Sequence, residues 1–289
     1  MYGLPKQLRK MKADVFHGTD FSVPYLPACA SVMTVHDLSP WMNPDWHHGA
    51  GRIRRRTPLL LRLGLATMVI TDCHAVRSAV ISRFHLAEDR VVAIPLAAGA
   101  QFKPVALSMP SAEPYLLYVG TLEPRKNIPF LVEAWKQIYD EYGVKLILVG
   151  RRRDDCPPIP QHPGLEFAGE VQDADLPGLY CGATAVVYPS HYEGFGLPVL
   201  EAMACGAPVI ASTDAALTEL TNGAAIHCDA SNPNQWAEAM RTVITQPDRR
   251  RLMKEQGLLR AHQFSWQNTA RKTREVYQEA IARFHRGGK

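Results

Sequence analysis

Two glutamates separated by seven residues, in a stretch punctuated by glycine and proline, are spaced to act on one ligand. The stretch Glu193-Gly-Phe-Gly-Leu-Pro-Val-Leu-Glu201 follows a short β-branched and aromatic run, Ala185 to Tyr188, that suits a buried strand. Gly194 and Gly196 leave the next loop little side-chain bulk. Pro198 fits the first turn of a helix, and Gly206 fits the position just past its end. Glu193 therefore falls in a loop facing a helix N-terminus, and Glu201 about one turn into that helix. A loop of backbone N–H groups at such a terminus attracts anions, phosphate above all. Carboxylates flanking it are badly placed for the phosphate itself, but well placed to accept hydrogen bonds from sugar hydroxyls on either side.

This segment resembles the E-x7-E signature of family 4 glycosyltransferases, which are retaining, nucleotide-sugar-dependent and of GT-B fold. Gly120-Thr-Leu-Glu-Pro-Arg-Lys-Asn127 resembles the family's donor-phosphate segment and Val35-His-Asp37 its active-site histidine segment, all in the expected order. The plainer reading, a βα unit with a glutamate at the helix dipole, requires three ordered matches to coincide. The resemblance implies an α/β protein with two Rossmann-like domains facing a cleft. Residues 1–105 would form an incomplete N-terminal acceptor domain and 106–265 the nucleotide-sugar domain, with 266–289 a helix crossing back to the first.

By the same resemblance, Glu193 holds hydroxyls of the transferred sugar and Glu201 those of the ribose. The backbone at Gly194, Phe195, Gly196 and Leu197 meets the phosphates, as does the segment opening with Gly120 and Thr121. The base sits near Gly169 to Val171, and His36 serves at the active site. Arg125 and Lys126 lie in a loop after a strand, where two cations can neutralise a departing diphosphate; read plainly, they are a solvated pair before a helix. Retention without a protein nucleophile is explained in the family by same-face attack, the departing phosphate taking the acceptor proton. The Val-His-Asp-Leu and Gly-Thr-Leu-Glu-Pro-Arg-Lys-Asn patterns look most like bacterial mannosyltransferases of surface polysaccharide assembly. GDP-mannose is therefore the expected donor, and a glycan or lipid-linked sugar the acceptor. The two cations can replace a metal at the diphosphate, so neither metal nor cofactor is expected. The competing reading is a non-catalytic nucleotide-sugar-binding subunit or remnant.

The elements that must position these residues alternate. Strands are predicted at 14–18, 31–35, 68–71 and 91–94, with a helix from Ala75 to about His85. His17 and His36 each close a strand and would face one crevice, since open α/β sheets bind ligands at the carboxyl ends of their strands. Cys73-His74 stands where the family has a serine. The segment from Gln101 to Pro114 suits a linker. Beyond it, strands at 115–119, 145–149, 165–167, 186–188, 208–211 and 225–227 alternate with helices, as in a doubly wound parallel sheet. Asn127 is read as the cap of a helix carrying Leu131, Trp135, Ile138 and Tyr142 on one side. The chain is helical from Asn234, and a last helix after Phe264-Ser-Trp266 puts Val276, Tyr277, Ile281 and Phe284 on one side.

Composition agrees with a soluble enzyme of 289 residues, 46% of them hydrophobic. No apolar run approaches a membrane span, and no apolar signal-peptide core opens the chain, so a cytoplasmic location is expected. The six cysteines form no C-x-x-C pair, which reads as reduced thiols. The net charge of +4 is uneven: residues 1–105 hold 13 Lys and Arg against 7 Asp and Glu. Much of this excess lies in Gly51-Arg-Ile-Arg-Arg-Arg-Thr-Pro-Leu-Leu-Leu-Arg-Leu-Gly64. That cluster fits a surface helix meeting anionic phospholipid at the inner membrane face, or a lipid-pyrophosphate acceptor; it fits equally a solvated face packing its leucines on its own domain. No recognition motif accompanies the charge, so nucleic acid is not an expected partner.

Family members normally place a strand, a glycine-rich loop, a helix and further βα units before the equivalent of Asp14, where this sequence has thirteen residues. The expectation is an apolar surface left open around Val15, Phe16 and Val32, and with it self-association or partial disorder of the first domain.

Overall fold

The computed structural model describes residues 3–105 and 113–287. In chain order its elements are α1 (Gly3–Lys10), β1 (Val15–Gly18), β2 (Ala30–Thr34), α2 (Ser39–Met42), α3 (Gly51–Arg62), β3 (Met68–Thr71), α4 (His74–Phe84) and β4 (Val91–Ala93). Then follow β5 (Tyr115–Val119), α5 (Ile128–Tyr142), β6 (Lys145–Val149), β7 (Leu165–Gly169), α6 (Leu176–Gly182), β8 (Ala185–Tyr188), α7 (Leu197–Ala204) and β9 (Val209–Ser212). The chain closes with α8 (Ala215–Thr221), β10 (Ile226–Cys228), α9 (Pro233–Thr245), α10 (Pro247–Ala261) and α11 (Trp266–Gly287).

Two compact units divide the chain: residues 1–96 with 266–289, and residues 97–265. The first crossing falls at residues 96 and 97, so 97–105, assigned from sequence to the first domain, pack with the second unit. Of the segment read as a linker, residues 106–112 lie outside the described residues.

The first unit is a parallel sheet in the order β1-β2-β3-β4. Its strands are short apolar runs, as fits a sheet covered on both faces. The last helix supplies one cover. Val276 and Ala280 of α11 pack on Ala30, Val32, Met68, Ile70 and Ile94, with Tyr277, Ile281 and Phe284 extending the contact. The open apolar surface expected around Val15, Phe16 and Val32 is therefore not there: Val32 is fully buried and Val15 packs against the same cluster, because α11 returns from the far end of the sequence to cover them. Phe16 is half-buried.

The second unit is a six-stranded parallel sheet in the order β10-β9-β8-β5-β6-β7. Strands β5 and β8 are central neighbours although 65 residues lie between the end of one and the start of the other, and the chain reverses its direction of winding between them. That reversal is the topological switch at which ligands bind in such sheets. Helix α5 buries Leu131, Trp135 and Ile138, and the Trp135 indole N–H donates to the Val144 carbonyl at 2.8 Å. Asn127 precedes α5 but does not cap it. Its backbone is left-handed at φ 60°, and its amide instead donates to the carbonyls of Ala230 at 2.9 Å and Pro189 at 3.4 Å.

Candidate active site

In the second unit the loops after β5 and β8 bring three predicted residues into one buried cluster. Arg125 and Lys126 leave β5 on a single 3-10 turn, and Glu193 lies in the loop between β8 and α7. The Lys126 ammonium donates to Glu193 Oε1 at 2.6 Å and to the Tyr188 hydroxyl at 2.7 Å, and lies 4.9 Å from the centre of the Tyr188 ring. Arg125 Nη1 lies 3.1 Å from Glu193 Oε2 and donates to the Tyr192 carbonyl at 2.6 Å. Only 7% of Lys126 and 6% of Glu193 is exposed, so neither would be stable without an opposite charge beside it. Burial pushes the Glu193 carboxyl up, but Lys126 and Arg125 more than reverse this and hold it below its usual range.

The cluster extends one strand further. Glu123 accepts from Arg125 Nη2 at 2.7 Å and from Arg153, which follows β6 and also donates to Asp155 Oδ1 at 2.9 Å. Sequence reasoning assigned no role to Glu123, although it lies within the Gly120–Asn127 segment, and missed Arg153, 30 residues away and without a local signature. It also missed Asp214. This residue caps α8 by accepting from the N–H groups of Ala216 and Leu217, and it accepts from the backbone of Glu193 as well. Burial pushes its carboxyl up to about 6. Its signal in the sequence is an aspartate two residues after a strand and just before an apolar helix.

Helix α7 starts and stops where its proline and glycine predict. Gly196 takes a left-handed φ of 95°, and a Cβ there would lie 2.5 Å from Leu217 Cδ2, so only glycine fits. With Gly196 as its N-terminal flank the helix has no side-chain cap; Pro198 has no N–H, and the Val199 and Leu200 N–H groups donate to the Gly196 carbonyl at 2.9 and 3.2 Å. Phe195 is buried edge-on against Phe264 at 6.0 Å, with Gly194 and Leu197 half-buried on either side of the turn. Glu201, in the second turn, accepts from the Tyr180 hydroxyl at 3.0 Å, and burial pushes its carboxyl up to about 7. Gly120 and Thr121 lie at the carboxyl end of β5; Val171 lies past the end of β7, two residues beyond the exposed, left-handed Gly169.

The first unit holds a separate pair. His36 Nδ1 lies 2.7 Å from Asp72 Oδ2, and Nε2 donates to the Thr19 carbonyl at 2.8 Å. The hydrogen bond to Asp72 raises the imidazole pKa above its ordinary value, so a proton on each ring nitrogen is favoured. Parallel register makes this pair: Thr34 sits opposite Ile70, and the residues two further along each strand are His36 and Asp72. Asp72 escaped the sequence reading because strand order is not legible there. His17, by contrast, is tied between elements, with Nδ1 2.7 Å from the Tyr277 hydroxyl of α11 and Nε2 2.8 Å from Thr34 Oγ1. Cys73 flanks α4 with its sulfur accepting from the Val76 N–H at 3.4 Å, the capping task a serine hydroxyl would perform.

The basic helix α3 divides its arginines. Arg54 turns inward to the carbonyls of Pro40, Pro44 and His47, and Arg56 donates to Val23 and stacks on Tyr25 at 4.9 Å. Leu60 and Leu61 are buried, while Leu59 is 46% and Leu63 60% exposed on a surface that also carries Arg52, Arg55 and Arg62. Among the described residues no helix is long and apolar enough to cross a membrane, and no group of three or more His, Cys, Asp or Glu side chains is arranged to hold a metal ion.

Two units, each built on a parallel α/β sheet, with the charged loops of the second at the switch between β5 and β8, define the GT-B class. HepE from Anabaena, solved in complex with UDP and glucose, superposes with a TM-score of 0.78 at 18% identity, over 95% of this chain and 81% of that one. The family model for glycosyl transferases group 1 matches residues 113–246. O-antigen chain mannosyltransferase B of Escherichia coli is 34% identical over 289 aligned positions, covering 93% of this chain and 75% of that protein. O-antigen chain mannosyltransferase RfbU of Salmonella typhimurium is 28% identical, over 75% of this chain and 61% of its own length. The chain belongs to the group 1 glycosyltransferases.

Proposed function

We propose that this glycosyltransferase is a retaining mannosyltransferase that moves mannose from GDP-mannose to a glycan or lipid-linked acceptor during surface polysaccharide assembly. The observation that carries the reading is the buried cluster of Arg125, Lys126 and Glu193 beside the uncapped start of α7. Two cations beside the N-terminal end of a helix suit a diphosphate, and the carboxylate between them suits sugar hydroxyls. Mannose is supported by the two O-antigen mannosyltransferases to which the chain is similar.

In this reading Lys126 and Arg125 stabilise the charge that develops on the leaving diphosphate, so no metal is needed for that task. Glu193 orients the sugar, Glu201 accepts from the ribose, and the departing phosphate takes the acceptor proton as the new bond forms on the same face. The raised pKa of His36 suits a hydrogen-bond donor rather than a base. Work at the inner face of the membrane is supported by the exposed leucines and arginines of α3, a combination that attracts anionic lipid.

Purified chain incubated with GDP-mannose, GDP-glucose or UDP-glucose and a mannosylated lipid-linked acceptor tests this directly. Release of GDP with an α-configured product is expected. Nucleotide binding without turnover on any acceptor would favour a binding subunit instead.

A further inference from the structure

We propose that the loop Arg151-Arg-Arg-Asp-Asp155 reads the nucleobase of the donor and selects guanine. This rests on the nucleotide-sugar reading of the second unit. The loop leaves β6 beside the phosphate segment and is fixed to it along its backbone: the Leu122 N–H donates to the Arg151 carbonyl at 2.9 Å, and the Arg153 N–H to the Leu122 carbonyl at 3.0 Å. Its middle arginine position is thereby one strand away from the chain that carries Arg125 and Lys126. Arg153 anchors the loop from within by its ion pairs with Glu123 and Asp155.

The remaining polar side chains, Arg151, Arg152 and Asp154, are exposed around a recess of about 400 Å³ formed by these five residues. Beside it the backbone is bare. Gly120 and Gly150 directly follow β5 and β6 and Gly169 ends β7, all at positive φ, with the Gly150 N–H donating to the Gly169 carbonyl at 2.7 Å. A Cβ on Gly150 would lie 2.1 Å from the Gly120 oxygen, whereas one on Gly169 would meet nothing within 4 Å. A flat ring can therefore approach the open strand end at Gly169, on the carboxyl side of the sheet where α/β folds bind ligands.

The chemistry of the loop narrows which ring. A guanidinium offers a fork of N–H donors, and a carboxylate offers a pair of acceptors. Guanine matches both, since O6 and N7 accept from an arginine fork while N1–H and N2–H donate to a carboxylate. Adenine puts an N6 donor where the fork needs an acceptor. Uracil has a single ring N–H between two carbonyls, which repel a carboxylate that guanine would satisfy twice.

Isothermal titration of GDP, UDP, ADP and dTDP tests the assignment on wild-type chain, Arg151→Ala/Arg152→Ala, Arg151→Lys/Arg152→Lys and Asp154→Ala, with Lys126→Ala as the phosphate control. GDP should bind at least about tenfold more tightly than the others, the order expected for one bidentate base contact. Each loop variant should lose that preference while holding UDP within about twofold. The lysine variant separates base reading from general charge, because it keeps both charges and loses the forks. Melting curves check that these exposed substitutions leave the fold intact. A wild-type chain without GDP preference, or loop variants that retain it, overturns the assignment; if Lys126→Ala, with a melting curve that shows it folded at the titration temperature, still weakens all four nucleotides, the donor-site reading stands. Binding of none of the four overturns both.

Discussion

The Lys126 ammonium and the Glu193 carboxylate, 67 residues apart in the chain, meet at 2.6 Å in the interior of the second unit. A salt bridge this deeply buried acts on stability and on chemistry together. Removing one partner leaves the other charged and desolvated, at about 3–5 kcal/mol. The plain sequence reading of Arg125 and Lys126 as a solvated pair would let Lys126 be replaced without harm to the fold, and its burial argues otherwise.

Glu193→Ala should therefore lower both the melting temperature and turnover, the latter about a hundredfold for an interaction worth ~3 kcal/mol in the transition state. Glu193→Gln keeps a hydrogen-bond acceptor for Lys126 and should recover part of the stability while turnover stays low. Parallel melting curves and initial rates separate the two effects; wild-type rates in Glu193→Ala would remove Glu193 from the mechanism.

Asp72 holds the His36 ring by the bond at Nδ1 and favours its protonated form. Asp72→Asn should shift the His36 titration downward, observable in nitrogen-detected NMR of the imidazole. The pH profile of transfer should move in the same direction. An unmoved His36 titration would mean that the Thr19 carbonyl alone sets the ring's state.

The Glu201 carboxyl, pushed up to about 7 by burial against the opposing Tyr180 hydroxyl, gives two effects of opposite sign. The ionised form is the better acceptor for ribose hydroxyls, so GDP affinity should fall as pH drops through about 7. The folded state binds the proton more tightly than the unfolded chain, whose glutamates titrate near 4.3. Stability from this group is thus complete below the unfolded value and is lost as pH rises towards 7. Glu201→Gln should flatten both trends, with the ionisation of GDP itself cancelling in the comparison.

Leu59 of α3 and Leu63 just past its end are exposed among Arg52, Arg55 and Arg62. Leu59→Ser/Leu63→Ser should weaken co-sedimentation with vesicles rich in anionic lipid and leave nucleotide binding unchanged. Equal binding of wild type and variant, or none by either, would return this helix to a solvated face.

Val276 is buried where α11 covers the first sheet. Val276→Ala removes two methyl groups, and at about 0.8 kcal/mol for each buried carbon plus the cavity left behind it should cost about 2 kcal/mol. Urea denaturation followed by circular dichroism measures it.

Much of this protein is local and so legible in its sequence. Pro198 and Gly206 bound α7 because backbone φ and a missing N–H are properties of single residues, and the strand runs alternate with helices because burial imposes its period on neighbours in the chain. The motif order pointed to the family for the same reason: each signature is a contiguous segment. Tertiary structure decided what depends on strand order and return paths. It joined Lys126 to Glu193 and His36 to Asp72 by placing their strands side by side, and turned the Asn127 amide away from its helix towards Ala230. It also brought α11 back across the first sheet to bury Val32, and set the first unit's end at Leu96. Propensity and spacing say nothing of such contacts, because they are formed between segments that meet only when the whole apolar surface is buried at once.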